Sequence, residues 1–352
     1  MEVNKRYMRR ALQLARQGYG TTSPNPMVGA VIVDPQGNII GEGWHRKFGE
    51  AHAEVNAVNS VDDKSALKQA TIYVTLEPCS HHGKTPPCAE LIVKCGFRRV
   101  VIGATDPNER VSGRGINRIR EAGIEVVTGV LDEECRNLNP AFMTAHSLRR
   151  PYVLLKWACS SDGYLDCKRS ADQPAPKFST PLTLALMHRI RAGVDAIMIG
   201  SETALNDNPS LATRLFPGRS PQKIVVDSRG RILPSLKIFE NTKPVIITSL
   251  QQHPSEKNAD IIHLDNPHDI AEILELLFLR GITSVMIEGG ATLLKSVISS
   301  GIWDEARIEI APGIILDKNG RAKMDIPHGI TSKTNIDGNI ILNIKNTQKA
   351  NI

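Results

Sequence analysis

The chain has 352 residues, too long for one ordinary domain, and 41% apolar content, enough for two real cores. The formal charge is +6, with aromatics at only 4%, so the chain has few stacking platforms and no long basic run for a nucleic-acid strand. The excess of Lys and Arg is either an ordinary solvated surface or a preference for small anionic ligands such as phosphate esters.

The N-terminal decapeptide, Met1 to Arg10, has no apolar signal core, and no run reaches transmembrane length. Six cysteines, at 79, 88, 95, 135, 159 and 167, are too sparse for a disulfide framework. They suggest reduced thiols in a cytoplasmic protein, some of them metal ligands.

In chain order, residues 3–18 place Tyr7, Met8, Ala11, Leu12 and Ala15 at helical spacing and end on Gly18 and Gly20. Val28–Asp34 and Ile39–Trp44 read as a hairpin around Pro35-Gln36-Gly37-Asn38. A helix over Ala53–Asn59 opens near His52, and Thr71–Leu76 is a buried strand. A polar loop then leads to Pro87-Cys88, where proline suits a first helical turn. Val100–Ala104 is a strand, and Gly115–Ala122 and Asp132–His146 are helices.

Leu148-Arg149-Arg150-Pro151 marks the expected boundary, giving domains over 1–147 and 151–348. Strands are expected at 152–158, 196–200, 223–227, 245–248, 261–264, 284–288 and 307–310, with a late one at 340–344. Helices are expected at 182–192, 269–280 and 291–299. Alternating strands and helices make both halves α/β.

The most informative constellation is His52-Ala53-Glu54, then Thr75-Leu76-Glu77-Pro78-Cys79, then Cys88. One imidazole and two thiolates can hold zinc and leave its fourth position to water, while a carboxylate two residues past the histidine moves that water's protons. Base-deaminating zinc enzymes carry H-x-E followed by P-C. His52, Cys79 and Cys88 are therefore the expected zinc ligands and Glu54 the expected acid–base. Thiolate-rich ligation favours Zn2+ over other divalent ions, and a helix start at Cys88 favours its thiolate.

Eight residues separate the two cysteines where the general pattern has two. The spacer's His81, His82 and Lys84 can read substrate groups or simply be solvated. Cys95, Cys135 and Cys167 read as packing or surface residues.

Taken together, these residues resemble the RibD family of riboflavin biosynthesis, a pyrimidine deaminase fused to a pyrimidine reductase. The resemblance is carried by Thr22 to Gly29, Gly43-Trp44-His45, His52-Ala53-Glu54, Thr75 to Cys88 and Asp106-Pro107-Asn108. It continues through Lys156 to Gly163, Asn206 to Leu211, Val226-Asp227-Ser228 and Ile287 to Gly290. It implies an N-terminal cytidine-deaminase-like domain and a C-terminal dihydrofolate-reductase-like domain. The first would hydrolyse the 2-amino group of 2,5-diamino-6-ribosylamino-4(3H)-pyrimidinone 5′-phosphate. The second would reduce the ribosyl unit to ribityl with NADPH, giving 5-amino-6-(5-phosphoribitylamino)uracil.

Carried over by position, Asn25, His45, His81, Lys84, Asp106 and Asn108 would hold the deaminase substrate. Ala158, Thr203, Asp207, Ser228 and Gly290 would touch NADPH, and Arg191, Leu211, Arg214 and Glu288 the reductase substrate. Without the resemblance, Gly289-Gly290 could be a plain strand–helix connection, Asp207 turn chemistry and each arginine a surface charge.

Residues 164–181 depart from the family pattern, with no tryptophan and a longer loop, and none of them is carried over. Two other readings stay open: a deaminase whose second domain is impaired or only scaffolds assembly, and a nucleic-acid base deaminase. The expected partners are a phosphorylated pyrimidine and further copies of the chain, with neither nucleic acid nor membrane.

Overall fold

The structure is a computed structural model and describes residues 3–80, 86–108, 112–169 and 173–347. The chain forms two compact units, Met1–Arg149 and Arg150–Ile352. Among the described residues no helix is long and apolar enough to cross a membrane.

The first unit is built on β1 (Gly29–Val33), β2 (Ile39–Trp44), β3 (Thr71–Leu76), β4 (Arg99–Ala104) and β5 (Glu125–Val127), in the order β2-β1-β3-β4-β5. Pairing is antiparallel from β2 to β3 and parallel from β3 to β5. Its helices are α1 (Lys5–Ala15), α2 (Ala53–Asn59), α3 (Cys88–Cys95), α4 (Arg114–Glu121), α5 (Asp132–Leu138) and α6 (Pro140–Leu148).

The central strands β1, β3 and β4 are nearly continuous apolar runs because both faces are covered. Ala30, Ile32, Ile72, Val74, Val100 and Ile102 pack with α2, α3 and α4. The alternate residues Val31, Val33, Tyr73 and Val101 pack with α1 and α5. Gly43 lets β2 lie against α2: a Cβ there would sit 2.3 Å from the Ala57 nitrogen.

The second unit contains β6 (Tyr152–Ser160), β7 (Tyr164–Cys167), α7 (Pro181–Ala192), β8 (Ala196–Gly200), α8 (Ser201–Asp207), β9 (Gln222–Val226), β10 (Val245–Thr248), β11 (Asp260–His263), α9 (Ile270–Leu279), β12 (Ser284–Glu288), α10 (Ala291–Ser300), β13 (Glu305–Ala311), β14 (Gly320–Lys323), β15 (Ile330–Ile336) and β16 (Asn339–Lys345). Its main sheet runs β11-β10-β9-β8-β12-β6-β13-β16-β15, parallel up to β13 and antiparallel beyond; β7 and β14 pair separately. Val285 and Ile287 on β12 face the core with α9 and α10, while Met286 between them faces the α7 side.

Several expectations need correction. The helix expected over 132–146 is two, broken at Asn139-Pro140, where proline cannot donate a helical hydrogen bond. The Asn139 side chain instead grips a distant segment, accepting from Met27 N and donating to Met27 O, both at 2.8 Å. Asn139→Ala should therefore cost about 2 kcal/mol, read by urea denaturation, because two buried bonds are lost at once. Pro87 is the N-cap of α3 rather than part of its first turn. The short β5, β7, α8, β14 and β15 had no clear apolar period; β15 is largely exposed at a sheet edge.

Candidate active site

In the first unit, parallel β3 and β4 end side by side, and the segments after them carry Glu77-Pro78-Cys79 and Asp106 to one rim. Crevices at the carboxyl ends of parallel strands are the usual ligand sites of such sheets. His52 is the N-cap of α2, and Cys88 opens α3.

Among the described residues, the donor atoms of His52, Cys79 and Cys88 form a group lying within 4.8 Å of one another. His52 Nδ1 is 3.6 Å from Cys79 Sγ and 3.3 Å from Cys88 Sγ. A tetrahedral zinc with ordinary Zn–N and Zn–S bonds would set such pairs about 3.6 Å apart. The separations and the donor set thus fit that ion. The Cys88 backbone N–H donates to Cys79 Sγ at 3.3 Å, which supports a thiolate. The Cys88 thiol and His52 together lower Cys79 to about 4, and the Cys79 thiolate with burial pushes Cys88 up.

Glu54, 3% exposed, lies on the first turn of α2 beside this cluster. Burial, and then the charge of Cys79, raise it to about 7. Such a carboxyl both accepts and returns a proton near neutrality.

A cavity of about 430 Å³ opens over His52, Cys79 and Glu54, lined also by Asn25, His45, Leu76, Glu77, Asp106, Asn108, Phe142 and His146. His45 Nδ1 donates to Ala51 O at 3.1 Å, so the neutral ring's Nε2 accepts from Asn25 Nδ2 at 3.3 Å. Burial lowers the His45 pKa, which keeps that tautomer neutral. Asn25, His45, Asp106 and Asn108 thus share one cavity with the metal cluster. His81 and Lys84 lie outside the described residues.

Glu77 had no role assigned from the sequence, though it sits in the same strand-end motif as Cys79. Its buried carboxylate accepts from the backbone N–H groups of Asp106, Gly113, Gly115 and Ile116 at 3.2, 3.1, 3.1 and 3.4 Å. It fastens the start of α4 and the turn bearing Asp106 to the end of β3. Gly115 makes this approach possible, since a Cβ would fall 2.1 Å from Pro78 O. Glu77→Ala should lower stability by on the order of 2–3 kcal/mol, which calorimetry checks.

The second unit holds a separate cavity of about 670 Å³. Glu288, at the end of β12, is in register with Lys156 on β6. Glu288 accepts from Lys156 Nζ at 3.1 Å and from Arg191 Nη2 at 2.8 Å. Burial alone would raise Glu288, but the two cations outweigh it and hold the carboxyl at about 2.

The Arg191 Nε and His188 Nε2 groups are buried with no protein partner among the described residues. His188 Nδ1 accepts from the Arg214 backbone N–H at 2.9 Å, so its orphan Nε2 carries the proton. Arg214 itself donates to Ser210 Oγ at 2.8 Å.

Gly289 and Gly290 follow at φ 77° and 50°, in the left-handed region. Their hydrogens face Thr203: a Cβ on Gly289 would meet Thr203 Cγ2 at 2.8 Å. Gly290 caps α10 with no side-chain hydrogen bond, and Gly290, Ala291 and Thr292 line the cavity. Uncapped N–H groups at a helix start suit a pyrophosphate. Ala158, Thr203, Asp207, Arg191 and Leu211 line the same cavity; Ser228 and Arg214 are not among its lining residues.

Residues 1–104 match the cytidine and deoxycytidylate deaminase zinc-binding region, and residues 151–327 match the RibD C-terminal domain. The chain is 39% identical to the riboflavin biosynthesis protein RibD of Actinobacillus pleuropneumoniae, covering 97% of this chain and 91% of the relative. It is 37% identical to RibD of Escherichia coli K12, with 88% of each covered. Among solved structures it is similar to a diaminohydroxyphosphoribosylaminopyrimidine deaminase/5-amino-6-(5-phosphoribosylamino)uracil reductase from Thermotoga maritima. That pair has TM-score 0.87 and 34% identity, with 97% and 98% of the two chains covered. Acinetobacter baumannii RibD gives TM-score 0.88 at 32% identity, with 98% and 99% covered. The two folds are accordingly cytidine-deaminase-like and dihydrofolate-reductase-like, as expected.

Proposed function

Because the chain belongs to the RibD family of riboflavin biosynthesis, a deaminase joined to a reductase, we propose that its two cavities divide the two reactions, each carried by the residues described above. The enzyme deaminates 2,5-diamino-6-ribosylamino-4(3H)-pyrimidinone 5′-phosphate and then reduces the ribosyl group to ribityl with NADPH. The observation that carries the assignment of the first cavity is the convergence of His52, Cys79 and Cys88 within 4.8 Å, with buried Glu54 alongside.

His52, Cys79 and Cys88 would hold Zn2+, which would supply Lewis-acid activation of a water molecule. Glu54 would carry one proton from the attacking water to the pyrimidine ring nitrogen and then a second, from the newly added hydroxyl, to the amino group that leaves as ammonia as the carbonyl forms. Its raised pKa suits both transfers. His45, neutral and fixed by Ala51, orients Asn25 toward the base. Asp106 and Asn108 line the same cavity and are assigned to the substrate with Asn25 and His45; His81 and Lys84 are assigned to that substrate by sequence position alone.

In the second unit, NADPH supplies the hydride that reduces the sugar's anomeric carbon in its ring-opened form. Ala158, Thr203, Asp207 and the Gly290 turn, which line this cavity, would hold the cofactor, and Ser228 is assigned to it by sequence position alone. Arg191, held by Glu288, keeps its buried Nε–H for a substrate anion beside Leu211, and Arg214 is assigned to the substrate by sequence position alone. A cytoplasmic setting, where thiols stay reduced, and self-association belong to the same proposal.

The scaffolding and nucleic-acid readings find no support, because similarity to the RibD enzymes runs through both units. The deciding assay is sequential. The diaminopyrimidine nucleotide should release ammonia without NADPH, and later addition of NADPH should start its oxidation. NADPH oxidation with no deaminated pyrimidine present, or ammonia release that requires NADPH, would contradict the division.

A further inference from the structure

The segment after Asp162-Gly163, read from the sequence as departing from the family pattern, carries a nearly buried arginine that contacts two residues of the cavity lining. The Arg169 side chain is only 8% exposed. Its Nε donates to Asp166 Oδ1 at 2.9 Å, its Nη2 to Asp207 Oδ1 at 2.5 Å and its Nη1 to Gln173 O at 3.0 Å. One planar fork thus ties β7, the end of α8 and the following loop together. Asp166 and Asp207 line the second cavity. Among the described residues, four basic and four acidic side chains line that cavity, so the lining carries no net positive charge of its own. A dinucleotide phosphate is a polyanion. Unneutralised carboxylates in its wall would repel it most strongly where water is scarce.

We propose that Arg169 is a positioning residue for NADPH: it cancels the charge of Asp166 and Asp207 and holds Asp207 with one carboxylate oxygen left for the cofactor. The inference rests on NADPH occupying this cavity. Arginine suits the task better than lysine because its rigid fork reaches both carboxylates and a carbonyl at once. The far end of the same segment is also pinned. Ser179 Oγ donates to Glu309 Oε2, and Asn339 Nδ2 donates to Phe178 O, both at 2.7 Å. Losing Arg169 should therefore change the wall's charge and Asp207's pose without releasing the whole segment.

The test is the dissociation constant of NADPH, measured by fluorescence without substrate, alongside reductase kcat and KM and ammonia release. Arg169→Ala should weaken NADPH binding about tenfold or more and raise KM far more than it lowers kcat. Ammonia release should be unchanged. Arg169→Lys should recover part of the loss, as should adding Asp166→Asn to Arg169→Ala, because one exposed charge is then removed. Gly290→Val serves as the control for the cavity. If it weakens NADPH binding while Arg169→Ala stays within twofold of the parent, the role of Arg169 is overturned. If neither variant changes binding, the cofactor lies elsewhere and both assignments fall. Should Arg169→Ala not fold, Arg169→Lys decides: weakening of threefold or more supports the role, and parental affinity overturns it.

Discussion

Glu54→Gln should abolish deamination while leaving the metal in place. The expected loss in kcat is about 10³- to 10⁴-fold, at the upper end of general acid–base contributions, because one carboxyl serves several proton transfers in succession. The glutamine keeps the volume of the buried side chain, so the helix start that positions His52 is undisturbed. Zinc content should match the parent, and NADPH oxidation with already deaminated substrate should be unaffected. Ammonia release, zinc by atomic absorption, and NADPH absorbance give the three readings. Retained deamination would remove Glu54 from the chemistry; lost zinc would show that it holds the metal instead.

Glu288→Gln should have the largest effect on the second unit. The carboxylate lies between Lys156 and Arg191, whose side chains are 10% and 11% exposed. Neutralising it leaves two poorly solvated cations facing each other without a counter-charge. Breaking a buried pair this way costs about 3–5 kcal/mol. Reduction should fall at least a hundredfold, since Arg191 loses the partner that aims it, while ammonia release persists.

The pH dependence follows from the same cluster. Glu288 sits at about 2, below its ordinary range. The stability it contributes is therefore fully present above about pH 4.5, and is lost as pH falls through about 2. Across the physiological range this ion cluster does not switch. Denaturation midpoints of parent and Glu288→Gln should converge only in strong acid.

The strands that carry the sites were legible because their chemistry is local. Thr71–Leu76 and Ala196–Gly200 are apolar runs bounded by polar or helix-starting residues, and they form β3 and β8 with those bounds. His52, Cys79 and Cys88 could be grouped from order and spacing alone, since metal ligation tolerates few residue types. Asn139 shows where reading by period fails: a helical pattern continues across it, but its side chain answers to Met27, over a hundred positions away. Glu77 was hidden for a related reason. It stands inside the most distinctive motif, but its partners are backbone N–H groups, which leave no trace in residue identity. Arg169 was invisible because its role depends on Asp207 arriving from another element.

The account stands most directly on the position of one ion. Anomalous X-ray diffraction recorded on either side of the zinc absorption edge, from crystals grown without chelator, should give a single strong peak in the first unit. It should lie about 2.0 Å from His52 Nδ1 and about 2.3 Å from the Cys79 and Cys88 sulfurs. A peak away from those three atoms, or none at the zinc edge in enzyme that still releases ammonia, would contradict it.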